Sequence, residues 1–262
     1  MSLTRLLSVV SKYGKKVALF FGLLLSGKAF SQQFNSDSWL SKPHGTVTII
    51  PTTGERNSML MTTYSLFPRW EFTVAGYLYN DDGDALTADG YSASLYAKYM
   101  FYENKKGTGG ASVKLGTGME PGTIGGEERE KNAFQSYWIN FPCTIPFFNN
   151  KLSWDLMPGV SSNHNYGPTK TTAWAFTYST RLAWNPFSPQ WSAVAEVFGN
   201  AGEITAIPEY KAGIRWEPSQ YAVFALTYGH EFAGSLGAGF EVGVMLFTPQ
   251  FLCFKGCKTK KN

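Results

Sequence analysis

Charged side chains recur at every second position in several segments of the chain, alternating with apolar residues. The segment EYKAGIRWE at 209–217 shows the pattern most clearly. Groups of both signs on one face of a strand can pair with each other, and unpaired ones can select solutes by charge. These candidate positions are Glu71, Lys98, Lys114, Asp155, Arg181, Glu196, Glu209, Lys211, Arg215, Glu217 and Glu241.

Covalent chemistry has weaker support in the sequence. SSNHNYG at 161–167 groups Ser162, Asn163 and His164, residue types that outer-membrane phospholipases carry in a different order. A nucleophile needs a base within hydrogen-bond reach that a third group orients, and adjacent strand residues point to opposite faces. We therefore predict no catalytic residue and no enzyme activity, with lipid modification near His164 as an alternative.

No metal or cofactor site is indicated. The three histidines have no carboxylate or thiol at metal-binding spacing, and Cys143, Cys253 and Cys257 are too few for a disulfide framework. The glycine-rich GTGMEPGTIGG lacks the spacing of a phosphate-binding loop. We expect neither metal nor cofactor.

Composition favours strands and turns. Of 262 residues, 16% are aromatic, 27 are glycine and only 16% are charged, below the roughly 25% of soluble domains. Five of the 23 basic residues lie in the first 31 positions, which contain no acid, so the rest of the chain is close to neutral. The net charge of +4 therefore gives no case for binding nucleic acid.

Residues 1–31 have the features of a secretory signal peptide. Basic residues precede the apolar run VALFFGLLLSG at 17–27, and Ala29 and Ser31 stand before a plausible cleavage point. The run is too short for a membrane anchor of about 20 residues. No later apolar stretch approaches that length, so any membrane insertion must use strands.

The remainder divides into short segments separated by turn signals, without sustained helical periodicity. We predict an all-β fold, an antiparallel up-and-down transmembrane barrel of about twelve strands. The predicted strands are 45–51, 58–67, 69–79, 91–102, 109–117, 132–144, 151–161, 172–185, 190–199, 205–217, 220–230 and 236–248.

The connections between these segments alternate between long and short. Links such as 80–90 and 116–132 are long and rich in Gly and acidic residues, whereas 67–69 and 217–220 are tight turns. Aromatic residues gather beside the tight turns, as in an interfacial girdle. A soluble β-sandwich, the alternative, would not sort its loops in this way. We therefore expect Tyr210, Ile214 and Trp216 to face lipid, and the charged residues between them to face the lumen.

Prolines indicate where the predicted strands depart from regular hydrogen bonding. Pro142, Pro158 and Pro208 each remove a backbone donor, so we expect them near rims or bulges. The segments 132–144 and 220–230 carry apolar residues on both faces, which leaves their orientation open.

Three motifs resemble the outer-membrane barrels of the phenol-degradation meta-pathway transporter type. They are TYSLFPRWEFTVAGY, WNPFSPQWSAVAEVFGN and YKAGIRWEPSQYAVFALTYG, and the likeness would span most of 58–248. The resemblance implies a twelve-stranded barrel that moves small solutes, hydrophobic or aromatic ones among them. It makes Glu71 and Glu196 the first lumen positions to test.

The sequence thus predicts a signal peptide at 1–31, a flexible or plug-like periplasmic lead-in at 32–44, a barrel at 45–251 and a Lys-rich periplasmic tail at 252–262. The expected location is the outer membrane of a Gram-negative bacterium, and the expected function is that of a porin or transporter with a charge-lined lumen. The expected partners are outer-membrane lipid, a small solute and, through the tail, another periplasmic or membrane protein, but no nucleic acid. A non-conducting structural barrel remains an alternative.

Overall fold

The computed structural model describes residues 36–39, 43–79, 90–119, 123–124, 127–128, 134–164, 171–234 and 237–252. These residues form the predicted closed antiparallel β-barrel of twelve strands. The strands are β1 (Thr46–Gly54), β2 (Asn57–Ser65), β3 (Trp70–Tyr79), β4 (Gly90–Glu103), β5 (Gly110–Gly118), β6 (Ser136–Asn140 and Cys143–Phe147), β7 (Leu152–Leu156 and Gly159–His164), β8 (Thr172–Trp184), β9 (Trp191–Gly202), β10 (Glu209–Ser219), β11 (Ala222–Glu231) and β12 (Gly239–Phe247).

Little else is regular in the described part of the chain. A two-stranded ribbon pairs Thr123–Ile124 with Glu127–Glu128, and Phe148–Asn150 form a single 3-10 turn. No helix in these residues has the length and hydropathy needed to cross a membrane. The predicted signal peptide at 1–31 and the tail beyond Leu252 lie outside the described residues.

The barrel closes by pairing its first and last strands. Thr48 lies opposite Phe247 and Thr53 opposite Val242, while every other strand pairs with its neighbours along the chain. Closure leaves no strand edge with unpaired backbone groups, which is the condition for strands to cross a bilayer.

The outer face is apolar and the inner face is largely polar, as expected. In β10, Ile214 is 51% exposed on the outside, whereas Lys211 is 6% exposed on the inside. In β3, Phe72 and Val74 face outward and Glu71 faces inward. The charged residues of these strands therefore lie on the inner face, and the outer surface is that of a membrane-spanning barrel.

Aromatic side chains surround the rim that carries the short turns. Trp70, Trp191 and Trp216 are exposed, and the rings contact one another, with centroids 4.7 Å apart for Trp70 and Tyr99 and 5.6 Å apart for Trp191 and Trp216. Phe187, in the β8–β9 turn, is almost fully exposed. Such a girdle lies at the membrane–water interface of transmembrane barrels.

Loop lengths follow the predicted order except at the first hairpin. Strands β1 and β2 extend further than predicted and leave only Glu55 and Arg56 between them. Thr53 and Ser58 continue the ladder and their hydroxyl groups hydrogen bond at 3.1 Å. Threonine is β-branched and favours the strand, so the link predicted at 52–57 is a tight turn of two residues.

Two neighbouring strands are interrupted at prolines. β6 breaks at Phe141–Pro142 and β7 breaks at Met157–Pro158. The amide of Phe141 donates to the carbonyl of Pro158 at 2.9 Å, which joins the two breaks. Pro208 precedes β10 at its rim end, as predicted. Pro142 and Pro158 instead lie at breaks within strands, and the register with the neighbouring strands continues across both breaks without a shift, so neither residue marks a rim or a bulge. β6 runs on to Phe147, three residues beyond its predicted end, because pairing resumes after the break.

Candidate functional site

The eleven charged residues predicted from the sequence all lie on the inner face of the barrel wall. Nine of them are buried, Lys114 is nearly so, and Glu209 is partly exposed at the far end of β10. Since charges buried in a membrane protein require partners, their pairing defines the site.

A row of alternating charge runs across four neighbouring strands. In the strand register Asp155 of β7 lies opposite Arg181 of β8, which lies opposite Glu196 of β9, which lies opposite Lys211 of β10. We call this set the charge row. Opposite charges placed side by side on neighbouring strands attract each other.

Residues of the charge row make close contacts with each other and with Glu241. Arg181 donates from Nε and Nη2 to Oδ2 of Asp155, at 2.9 and 2.7 Å. Lys211 Nζ contacts Oε2 of Glu241 at 2.5 Å, reaching across β11, where the residue opposite Lys211 is Gly229. The absence of a side chain at Gly229 leaves the space between the two charges free.

A second charged group lies on β3, β4 and β5. Lys98 Nζ contacts Oε2 of Glu71 at 2.6 Å. On its other side Lys98 lies directly opposite Lys114, whose Nζ stands 4.0 Å above the centre of the Tyr96 ring. The ring attracts the ammonium group, but the two lysines repel each other.

The third pair lies closer to the short turns. Arg215 Nη2 contacts Oε1 of Glu217 at 2.8 Å and donates to the hydroxyl group of Ser192 at 3.3 Å. These two residues are only two positions apart in β10, so they share its inner face.

Four residues that precede the barrel lie inside it. Ser36, Asp37, Ser38 and Trp39, here called the inner segment, are all buried. Asp37 contacts Lys98 at 3.1 Å and Lys114 at 3.6 Å. The sequence predicts a flexible or plug-like lead-in here, and its local pattern does not show which residues of the lumen wall the segment contacts.

Both ends of the inner segment contact the barrel wall. The Ser36 amide donates to Oε1 of Glu196, and its hydroxyl group hydrogen bonds that of Ser179. The Trp39 amide donates to Oγ1 of Thr144 at 3.4 Å. The indole lies over Gly110, where a Cβ atom would stand 2.5 Å from the ring.

Part of the inner wall is apolar, which the sequence analysis missed. The buried cluster comprises Ile50, Met61, Ala75, Tyr96, Val223 and Met245. Its residues lie on β1 to β4, β11 and β12, away from the charge row. The only sequence signal was the presence of apolar residues on both faces, as at Ile49 and Ile50.

Ser162 and His164 do not lie in the lumen. Ser162 is opposite Tyr137 and Trp174, whose rings are exposed on the outer face. His164 Nδ1 lies 2.8 Å from the hydroxyl group of Thr172, and its ring packs edge-on against Tyr137. Among the described residues no group of three or more His, Cys, Asp or Glu side chains is placed to hold a metal.

Comparisons with known proteins support the fold. No protein-family model matches the chain, and no curated protein matches its sequence. The chain is similar to the solved KdgM porin in complex with disordered oligogalacturonate, with a TM-score of 0.51 at 9% identity over 77% of this chain and 98% of that one.

Two further structures match at lower scores. An outer-membrane channel from Pseudomonas putida F1 gives a TM-score of 0.49 at 12% identity, over 82% of this chain and 99% of that chain. The NanC porin gives 0.48 at 6% identity, over 79% of this chain and 99% of that chain. The match to the KdgM porin supports a porin-like barrel fold, while membership of the phenol meta-pathway type stays a prediction.

Proposed function

We propose that this protein is an outer-membrane channel of a Gram-negative bacterium and that a small solute crosses the membrane through its lumen. The observation that carries the proposal is the reversed polarity of the wall. A closed barrel with apolar residues outside and charged residues inside can stand in lipid and present an aqueous route.

The size of the barrel sets the kind of passage. Eight strands leave no channel and sixteen leave a wide one, so side chains decide the bore of a barrel with twelve strands. Here the charged side chains of the inner face form ion pairs with one another. The inner segment contacts both β4–β5 and β8–β9. We propose that this state is closed and that the inner segment moves aside when solute passes.

The charged and the apolar parts of the inner wall indicate the chemical class of the solute. Fixed charges of both signs suit a polar or charged group, and the cluster around Ile50, Tyr96 and Met245 suits an apolar one. The KdgM porin was solved with oligogalacturonate, whereas the sequence motifs suggest hydrophobic or aromatic solutes. We propose a small solute that carries both a polar and an apolar part.

Conductance in planar bilayers tests the proposal. The mature chain should show small unitary currents at high salt, and a variant lacking residues 32–42 should show larger ones. A variant lacking residues 252–262 removes the same length from the other end and serves as the control. It should behave like the full chain.

Folding must be verified in each case by heat-modifiable gel migration, which reports an intact barrel. If the full chain and the 32–42 deletion are both folded and both silent, the channel proposal is wrong. That outcome would favour the alternative of a non-conducting barrel with a partner at the Lys-rich tail, which loss of a co-purifying protein from the 252–262 deletion would support.

A further inference from the structure

The wall around Lys98 and Lys114 carries more positive than negative charge. The two side chains lie directly opposite each other on β4 and β5, and the wall carboxylate in contact with this pair is that of Glu71, 2.6 Å from Lys98 Nζ. Elsewhere on the wall Arg181, Lys211 and Arg215 each contact a carboxylate that is also part of the wall. The lysine pair is therefore short of one negative charge.

Asp37 supplies that charge from outside the wall. Its Oδ1 lies 3.1 Å from Lys98 Nζ and its Oδ2 lies 3.6 Å from Lys114 Nζ. In both of these ion pairs the carboxylate lies outside the barrel strands. One carboxylate thus bridges two buried ammonium groups that would otherwise repel each other.

The inner segment is held by side-chain contacts rather than by the sheet. In the part of the chain that the structure describes, residues 36–39 join no strand ladder. Their contacts at Ser36 and Trp39 can break without disturbing any barrel pairing. A segment held in this way separates from the wall at a lower free-energy cost than a strand does.

We infer that Lys98 and Lys114 form a binding site for a small carboxylate, and that Asp37 is its tethered occupant. The inference deepens the proposed channel and rests on it for the route by which a solute reaches the site. When the inner segment leaves, two ammonium groups face one wall carboxylate, and the carboxylate of a solute takes the position of Asp37. Displacing Asp37 also frees the segment, so solute binding and opening are coupled.

Competition between Asp37 and a solute carboxylate sets the expected change in apparent affinity. The apparent affinity of a site is reduced by the fraction of time for which the site is available. If Asp37 fills the site for about nine-tenths of the time, then Asp37→Asn raises the apparent affinity for a carboxylate about tenfold. A neutral molecule of the same shape gains little.

Benzoate is a suitable probe because NMR line broadening reports its binding to the detergent-solubilised full barrel, and benzyl alcohol is a neutral match. We expect Asp37→Asn to bind benzoate about tenfold more tightly than the wild type, with benzyl alcohol unchanged. Adding Lys114→Gln to that variant should abolish the gain. Glu55→Gln and Lys151→Gln, at exposed positions outside the lumen, are the matched charge controls.

Trp39→Ala is a second test that keeps Asp37 and loosens the inner segment, so it should also tighten benzoate binding. Unchanged benzoate affinity in both variants, or a gain that survives Lys114→Gln, overturns the inference. The outcome of the benzoate experiment is independent of the outcome of the bilayer experiment. If the protein conducts in bilayers but does not bind benzoate in this way, the channel proposal stands and the carboxylate site is wrong. If it binds benzoate but does not conduct, the site stands and the channel proposal is wrong.

Discussion

Arg181 and Asp155 face each other on the inner wall, and two nitrogens of the guanidinium group donate to the same carboxylate oxygen, at 2.9 and 2.7 Å. Both side chains are buried, and the other oxygen of Asp155 accepts from the hydroxyl group of Thr144. The pair joins β7 to β8 close to Pro158, at which β7 is interrupted.

Asp155→Asn should strongly destabilise the barrel. The change leaves Arg181 buried and removes the carboxylate that receives its two hydrogen bonds, a loss of about 3–5 kcal/mol for a broken buried pair. Urea unfolding in detergent, followed by tryptophan fluorescence, measures it. Glu103→Gln, an exposed carboxylate at the end of β4, is the control, and equal stability of the two variants would contradict the structural role of the pair.

Gly116 should not tolerate a side chain. It lies opposite Trp138, and a Cβ atom at Gly116 would stand 2.3 Å from the indole ring. Gly116→Ala should therefore cost about 1–3 kcal/mol of unfolding free energy through overpacking. Gly76→Ala is the matched control, because no atom lies within 4 Å of its added Cβ. If Gly116→Ala is as stable as Gly76→Ala, the placement of the Trp138 ring is wrong.

The depth of the outer face in the membrane can be tested with two residues of equal exposure. Val74 in the middle of β3 and Phe67 in the β2–β3 turn are each 49% exposed. In water an arginine would be tolerated equally at both. In a bilayer Val74→Arg should cost about 2–4 kcal/mol, and Phe67→Arg near the interface should cost about 0–1 kcal/mol. Unfolding of the protein in lipid vesicles makes the comparison, and equal costs would argue against a lipid-facing wall.

Phospholipid hydrolysis tests the enzyme alternative directly. Nδ1 of His164 lies 2.8 Å from the hydroxyl group of Thr172, and a hydroxyl group is not the acidic group that orients the base of a hydrolytic triad. We expect no release of fatty acid by the wild type. Activity that Ser162→Ala and His164→Ala each abolish would reverse this conclusion.

The sequence was sufficient to predict the strands and the faces of most of them. The period of two in a strand is a local property, so Ile214 and Arg215 could be assigned to opposite faces from nine residues of sequence. The sorting of loops and rim aromatics then decided which face is inside. Deciding which face is inside required the pattern of loops and aromatics along the whole chain, but no knowledge of which distant residues contact each other.

The pairing of the charges could not be predicted in the same way. Lys98 and Asp37 are 61 positions apart, and the inner segment has no periodicity of its own. Ile50 was missed because its neighbour Ile49 is equally apolar, so alternation does not show which of the two faces inward. In β11, Val223 faces inward and Phe224 outward, a choice made by the apolar cluster rather than by the local sequence.

The charge row also bears on how the strands find each other. A slip of one residue by β8 would reverse its faces and turn Arg181 into the hydrocarbon, at about 2–4 kcal/mol near the bilayer centre. The same slip would set Leu182 between Asp155 and Glu196, two carboxylates that would then repel each other. Every alignment of β7 to β10 that is wrong by an odd number of residues would meet this penalty, so the charge row favours the correct register of these four strands.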